Sequence, residues 1–248
     1  MIKTIKNVTK DIVQITTVDE RWYVKEDMFV PSVTWICNYY PKGTAFYKWL
    51  ANHGWDESEA LKNEAADKGS KVHYAIEDLI AGNEVKMDSK YYNQTKDTDE
   101  ELSVQEYECI MAFADWYEAT QPEILKNEVT GFKDEHFAGT VDLICKIKGE
   151  LWVIDFKTGQ YLWPSHELQL SAYKQLPVEG IDLSGAKLGI LQVGYKLNKR
   201  GWKLTEMKAK FDLFKAAYQI WQNETAGQKP LQKDYPMSLK LKKLKEAM

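Results

Sequence analysis

The run from Gly139 to Lys157, GTVDLICKIKGELWVIDFK, leaves this chain the least freedom. Residues 139–147 and 151–157 are rich in Val, Ile, Leu, Trp and Phe. Lys148-Gly149 sits between them as a short turn, so the natural reading is two antiparallel strands. With those two residues in the turn, Asp142 lies opposite Asp155; a turn displaced by one residue sets Asp142 opposite Lys157 instead. Strand alternation keeps Asp142, Asp155 and Lys157 on one face in both registers.

The other face carries Val141, Leu143, Cys145, Trp152, Ile154 and Phe156, while Ile144, Leu151 and Val153 share the aspartate face. Both faces are apolar enough to be covered, as in a sheet sandwiched by helices. Two carboxylates facing each other there repel by several kcal/mol at an effective dielectric of about 20. A cation belongs between them, and a divalent metal together with Lys157 supplies one. Carboxylate oxygens suit hard ions such as Mg2+ or Mn2+. The competing reading is a wet strand edge on which the two aspartates pair with lysines.

Two further segments bear on that choice. Downstream, Pro164-Ser165 starts a helix on which Gln169 and Tyr173, four apart, share a face within reach of the carboxylates. Upstream, the helix spanning about Ser58 to Ala81 contains KGSKVHYAIEDLI, with His73 at the edge of an apolar stripe and Glu77 one turn later. A lone histidine beside a glutamate is more often a surface pair than a metal ligand.

In this order and spacing, Asp142, Asp155-Phe156-Lys157 and Gln169-Leu-Ser-Ala-Tyr173 resemble the catalytic core of the PD-(D/E)XK nucleases, specifically the RecB-like exonuclease branch. VPSVTWICNYYPKGTAFYKWL is similar to the N-terminal segment of phage exonucleases and of the mitochondrial genome maintenance exonuclease. The resemblance implies an α/β fold: a central mixed β-sheet flanked by helices, the restriction-endonuclease-like core, with an N-terminal helical and hairpin elaboration. It implies one Mg2+ or Mn2+ held by His73, Asp142, Asp155 and the main-chain carbonyl of Phe156. Asp142, Asp155 and Lys157 would be catalytic, with Lys157 positioning or deprotonating the attacking water. Gln169 and Tyr173 would contact DNA or buttress the site, the segment around Ser32 would line the DNA path, and Glu77 would orient the His73 ring or add a ligand.

The rest of the chain fits one elaborated domain, 1–248: a hairpin and helical DNA-channel region over 1–120, the catalytic sheet with its helices over 121–225, and a basic tail over 226–248. Residues 11–30 alternate like a hairpin turning near Asp19-Glu20. Pro31-Ser32 opens a helix followed by Trp35, Tyr39, Tyr40, Phe46, Tyr47 and Trp49, with Ser32 near the N-cap. Residues 82–101 are polar and aperiodic and read as a loop. A helix over 102–119 ends at Pro122, and 123–132 is the first strand of the catalytic sheet. Glu128 on that strand is either a further acid of the site or an exposed residue. Strands over 186–195 and 200–206 and a helix over 207–223 follow.

Charge and cysteine usage set the partners. The net charge of −4 hides a division: residues 187–248 hold 14 Lys+Arg against 5 Asp+Glu, a candidate footprint for a phosphate-backbone partner, although the tail SLKLKKLKEAM taken alone reads as a solvated basic helix. The resemblance implies DNA with a free or single-stranded end as the substrate, in phage or bacterial recombination, repair or processing. The alternative is a non-catalytic nucleic-acid-binding module on the same fold. Three cysteines at 37, 109 and 145 have no metal-binding spacing, so no iron–sulfur cluster is expected. The chain has no G-x-x-x-x-G-K-[ST] loop, so no nucleotide is expected, and a helicase or recombinase partner would be a separate polypeptide. No apolar run reaches the roughly 18 residues of a membrane helix, and the N-terminus is no signal peptide. The expectation is a cytoplasmic protein without membrane contact.

Overall fold

The computed structural model describes residues 2–17, 20–226 and 228. Four antiparallel strands come first: β1 (Ile2–Asn7), β2 (Ile12–Thr17), β3 (Arg21–Lys25) and β4 (Met28–Pro31), adjacent in that order. The hairpin expected over 11–30 is thus the middle of a larger sheet, and its turn residue Asp19 lies outside the described residues. Helix α1 (Val33–Cys37) is much shorter than the aromatic stripe suggested. Pro41, Lys42 and Gly43 interrupt the chain, and α2 (Thr44–Ile80) then runs past the expected start at Ser58. It is broken only where Gly54 leaves helical geometry at φ 74°. Its burial is concentrated from Asp67 onward, at Asp67, Lys71, Val72, Ala75 and Ile76.

The segment 82–101 is not a plain loop: β5 (Lys90–Asn93) and β6 (Thr98–Glu101) form a hairpin. Its strands are too polar to show apolar alternation. The turn holds itself, with Asn93 Oδ1 accepting from the amides of Thr95 and Lys96, an Asx-type arrangement that pattern reading overlooks. Helix α3 (Val104–Thr120) opens on a capping box between Ser103 and Glu106.

A five-stranded sheet follows, built from β7 (Glu123–Lys133), β8 (Phe137–Ile147), β9 (Glu150–Lys157), β10 (Lys187–Val193) and β11 (Trp202–Met207), with α4 (Pro164–Tyr173) crossing between β9 and β10. The spatial order is β11-β10-β9-β8-β7, parallel between β9 and β10 and antiparallel elsewhere. This is the expected mixed α/β architecture. Lys148 and Gly149 have φ of 52° and 83°, as a two-residue turn with both central residues left-handed requires. The β8–β9 ladder runs from Ile147↔Glu150 to Leu143↔Ile154, the first of the two registers read from the sequence.

Apolar clusters cover both faces. Leu143, Cys145, Trp152, Ile154 and Phe156 pack with α2 and α3, while Ile144 and Val153 pack with α1, α4 and α5 (Phe211–Thr225). Val141, expected beside Leu143, joins the second cluster. The alternation slips where the β8–β9 ladder ends. The N-terminal sheet is fastened to the catalytic one through Tyr23, whose hydroxyl lies 3.2 Å from Thr140 Oγ1, itself 2.8 Å from Thr130. No helix among the described residues is long and apolar enough to cross a membrane.

Candidate active site

Past Leu143 and Ile154 the two central strands stop pairing. In place of a ladder bond, the Phe156 amide donates to Asp142 Oδ2 at 2.6 Å. β9 stays anchored on its other side, paired with β10 as far as Lys157↔Gln192. The strands therefore part where Asp142 and Asp155 face one another, and the acids line the notch. Both are nearly out of solvent, 7% and 2% exposed.

Helix α2 delivers His73 to this notch. Its Nε2 lies 3.3 Å from the Phe156 carbonyl oxygen, and its Nδ1 lies 3.7 Å from Asp142 Oδ1 and 3.8 Å from Glu128 Oε1. The ring edge rests on the Phe156 ring. Glu128 comes from β7, where the pairs Asn127↔Leu143 and Val129↔Val141 bracket it opposite Asp142. Its φ is 47°, a left-handed conformation inside a strand that costs a non-glycine residue on the order of 1–3 kcal/mol. Such strain persists where surrounding structure enforces it, and here it sits beside the acids.

Asp155 is held differently. Lys157 Nζ lies 2.5 Å from its Oδ2, and Gln169 Nε2 donates to its Oδ1 at 3.0 Å and lies 2.8 Å from the Tyr173 hydroxyl. Tyr173 in turn lies flat against β8, because position 139 is glycine: a Cβ there would sit 2.7 Å from the Tyr173 ring. Gln169 and Tyr173 thus buttress the carboxylate. Asp155 Oδ2, buried and ion-paired with Lys157, lacks a hydrogen bond of good geometry.

Burial and mutual repulsion set the charge states. Burial pushes the Asp142 carboxyl well above its usual range; His73 opposes this, while Asp155 and Glu128 add to it. Burial lowers the His73 pKa, but the charge of Asp142 and then the Glu128 carboxylate outweigh it and raise the ring to about 9. Lys157 is likewise raised despite burial, by Asp155 and then Asp142. The site is a negatively charged notch that has taken up protons.

A divalent ion fits it. His73, Glu128 and Asp142 offer ligand atoms all within 4.8 Å of one another. The Phe156 carbonyl faces the same imidazole, and the buried Asp155 carboxylate, ion-paired with Lys157, lines the notch as well. Three carboxylates and a carbonyl supply the oxygens that a hard cation takes, with one imidazole beside them. Because the His73 proton is held to about 9 rather than the ordinary 6.5, metal binding must expel it. The Mn2+ dissociation constant of the protein should fall about tenfold per pH unit between about pH 7 and 9 and level off above. Calorimetric titration in buffers of different ionisation enthalpy should show the released proton, and His73→Ala should flatten the profile.

Ser32 is the N-cap of α1, as its place in the sequence suggested, its hydroxyl accepting from the Trp35 amide, and it is only 2% exposed. Among the described residues no hydrogen bond or ion pair joins Glu77 to His73, whose ring is oriented by Glu128, Asp142 and Phe156. Burial raises the Glu77 carboxyl, with the charge of Glu128 adding to it. Sequence reasoning did not single out His166 on α4, whose Nδ1 accepts from the Trp163 amide at 3.3 Å. Burial, with Lys157 as the next contributor, lowers it to about 4, so it is neutral and sits in the field of the site.

Residues 43–238 match the family model described as the PD-(D/E)XK nuclease superfamily. A search of the curated proteins found no match to the chain.

Proposed function

Since the chain belongs to the PD-(D/E)XK nuclease superfamily, metal-dependent hydrolases of nucleic-acid phosphodiester bonds, we propose that it is an exonuclease of the RecB-like branch. Its substrate is DNA with a free or single-stranded end, in recombination, repair or processing of phage or bacterial DNA. The whole chain serves as one nuclease domain. The observation that carries this reading is the notch itself, in which two opposed buried aspartates meet a lysine from one side and a histidine–glutamate pair from the other.

In this reading His73, Asp142, Asp155 and the Phe156 carbonyl hold one Mg2+ or Mn2+, with Glu128 beside them. Bound there, the ion supplies Lewis acidity toward water and charge neutralisation toward phosphate. The protein does the positioning. Lys157, kept cationic by Asp155 and Asp142, orients the attacking water or a phosphate oxygen. Gln169, braced by Tyr173, fixes the Asp155 carboxylate through Oδ1 and leaves Oδ2 to Lys157. Ser32 contributes as the cap that sets α1 against β8, bridged to it at Ala138.

Linear and circular DNA, single- and double-stranded and labelled at either end, distinguish the possibilities when incubated with Mg2+, Mn2+ or a chelator. Linear DNA should be shortened from an end only in the presence of metal, with circles left intact. Nicked or linearised circles would refute exonuclease action. Binding without cleavage in either metal would leave a nucleic-acid-binding module.

A further inference from the structure

Immediately after Lys157 the chain runs Thr158-Gly-Gln-Tyr-Leu-Trp163 before entering α4. Tyr161 is 78% exposed and Trp163 49% exposed. Single exposed aromatics are ordinary on a protein surface, but these two lie two residues apart in a segment whose backbone is held firmly. The side-chain nitrogen of Gln192, itself 1% exposed, donates to the carbonyls of Gly159 at 2.9 Å and Gln160 at 3.0 Å. Gln160 reaches the other way, donating to the Gly194 carbonyl and accepting from the Lys196 amide, both at 2.9 Å.

Those last bonds fuse the aromatic segment to the loop between β10 and β11. Residues 194–203, GYKLNKRGWK, carry four cations and no acid. Asn198 folds this loop by accepting from the amides of Arg200 and Gly201. Two of its cations are seated over rings: Arg200 above Trp202 at 5.5 Å and Lys203 above Tyr195 at 5.3 Å. A segment bearing two exposed aromatics is thus fixed by hydrogen bonds to a purely cationic loop. Tyr161 is four residues from Lys157, hence no more than about 14 Å along the chain, close to the strand whose phosphate the notch would hold.

Resting on the nuclease reading above, the geometry points to a single-strand-binding ledge: Tyr161 and Trp163 stack on unpaired bases while Lys196, Lys199 and Arg200 follow the phosphates. Its charge suits a polyanion, and its faces suit bases freed from a duplex, since paired bases present no face to stack on. Aromatic stacking combined with a cationic track is the general solution for unpaired strands. The ledge therefore selects an unpaired end for the notch.

Anisotropy of a fluorescent oligo(dT) strand and of a blunt duplex, measured on the full chain in chelator so that nothing is cut, tests this directly. Tyr161→Ala/Trp163→Ala should weaken single-strand binding at least about tenfold and duplex binding by less than about twofold, with melting unchanged. Tyr161→Phe/Trp163→Phe should retain wild-type affinity. Lys196→Ala/Lys199→Ala/Arg200→Ala should flatten the salt dependence of log K by about 2, at about 0.7 per phosphate contact. Wild-type affinity in the double alanine variant, equal losses on strand and duplex, or no single-strand binding by the wild type would each overturn the ledge. Because cleavage is not read, the outcomes separate: a ledge variant that loses the strand in a protein that cuts nothing would uphold the ledge and sink the nuclease reading.

Discussion

Asp155→Asn and Lys157→Ala should each lower metal-dependent DNA cleavage by on the order of 10³-fold, while circular dichroism stays that of the wild type. The loss of Lys157 removes the cation that faces both acids, and a positioned charge or proton-transfer group contributes about 10²–10⁴-fold. Asp155→Asn keeps shape but removes the charge that Lys157 and Gln169 hold in place. Asparagine also relieves the repulsion that helps to raise Asp142, but it takes from Lys157 its nearest partner, so in chelator this variant should melt below the wild-type temperature. Substantial cleavage by either variant would end the assignment of the notch as the active site.

The second large effect lies away from the acids. Lys71, two residues before His73, is buried with its ammonium 2.9 Å from Glu106 Oε2 and 3.9 Å from Glu100. Glu106 also accepts from the Ser103 amide at 2.7 Å as part of the α3 capping box. One carboxylate therefore starts α3 and binds it to α2, with the β5–β6 hairpin alongside. Glu106→Ala should destabilise by about 3–5 kcal/mol because it strands a buried ammonium. In a chain of this size that is roughly 10 °C in Tm. Lys71→Met/Glu106→Leu should recover most of the loss, since buried pairs replaced together are often near neutral. A drop of less than about 1 kcal/mol in Glu106→Ala, read by urea titration, would show that the pair carries little of this junction.

How far the sequence could be read follows from these particulars. The β8–β9 hairpin was legible with its turn and with the face shared by Asp142, Asp155 and Lys157, but its register stayed one of two, because apolar alternation is the same in both. The helix origin of His73 and the Gln169–Tyr173 pair were legible from 3.6-residue spacing. Glu128 was not separable from an exposed strand residue: what distinguishes it is a left-handed φ and a place opposite Asp142, and neither appears in composition. The β5–β6 hairpin escaped notice because its strands are polar and its turn is held by a side chain. Ser32 was visible as a cap, but its depth depends on β8 passing beneath it, a contact more than 100 residues away in sequence.

The parallel pairing of β9 with β10 has a consequence for the order in which the molecule comes into being. Lys187 to Val193 leaves the ribosome some 30 residues after Asp155 and Lys157, and until then the strand bearing both residues has an open edge. His73, Glu128, Asp142 and Gln169 come from four other elements, all of them made before β10. The residues of the notch are therefore all synthesised before the strand that covers the open edge of β9, and that edge is closed only when β10 pairs along it.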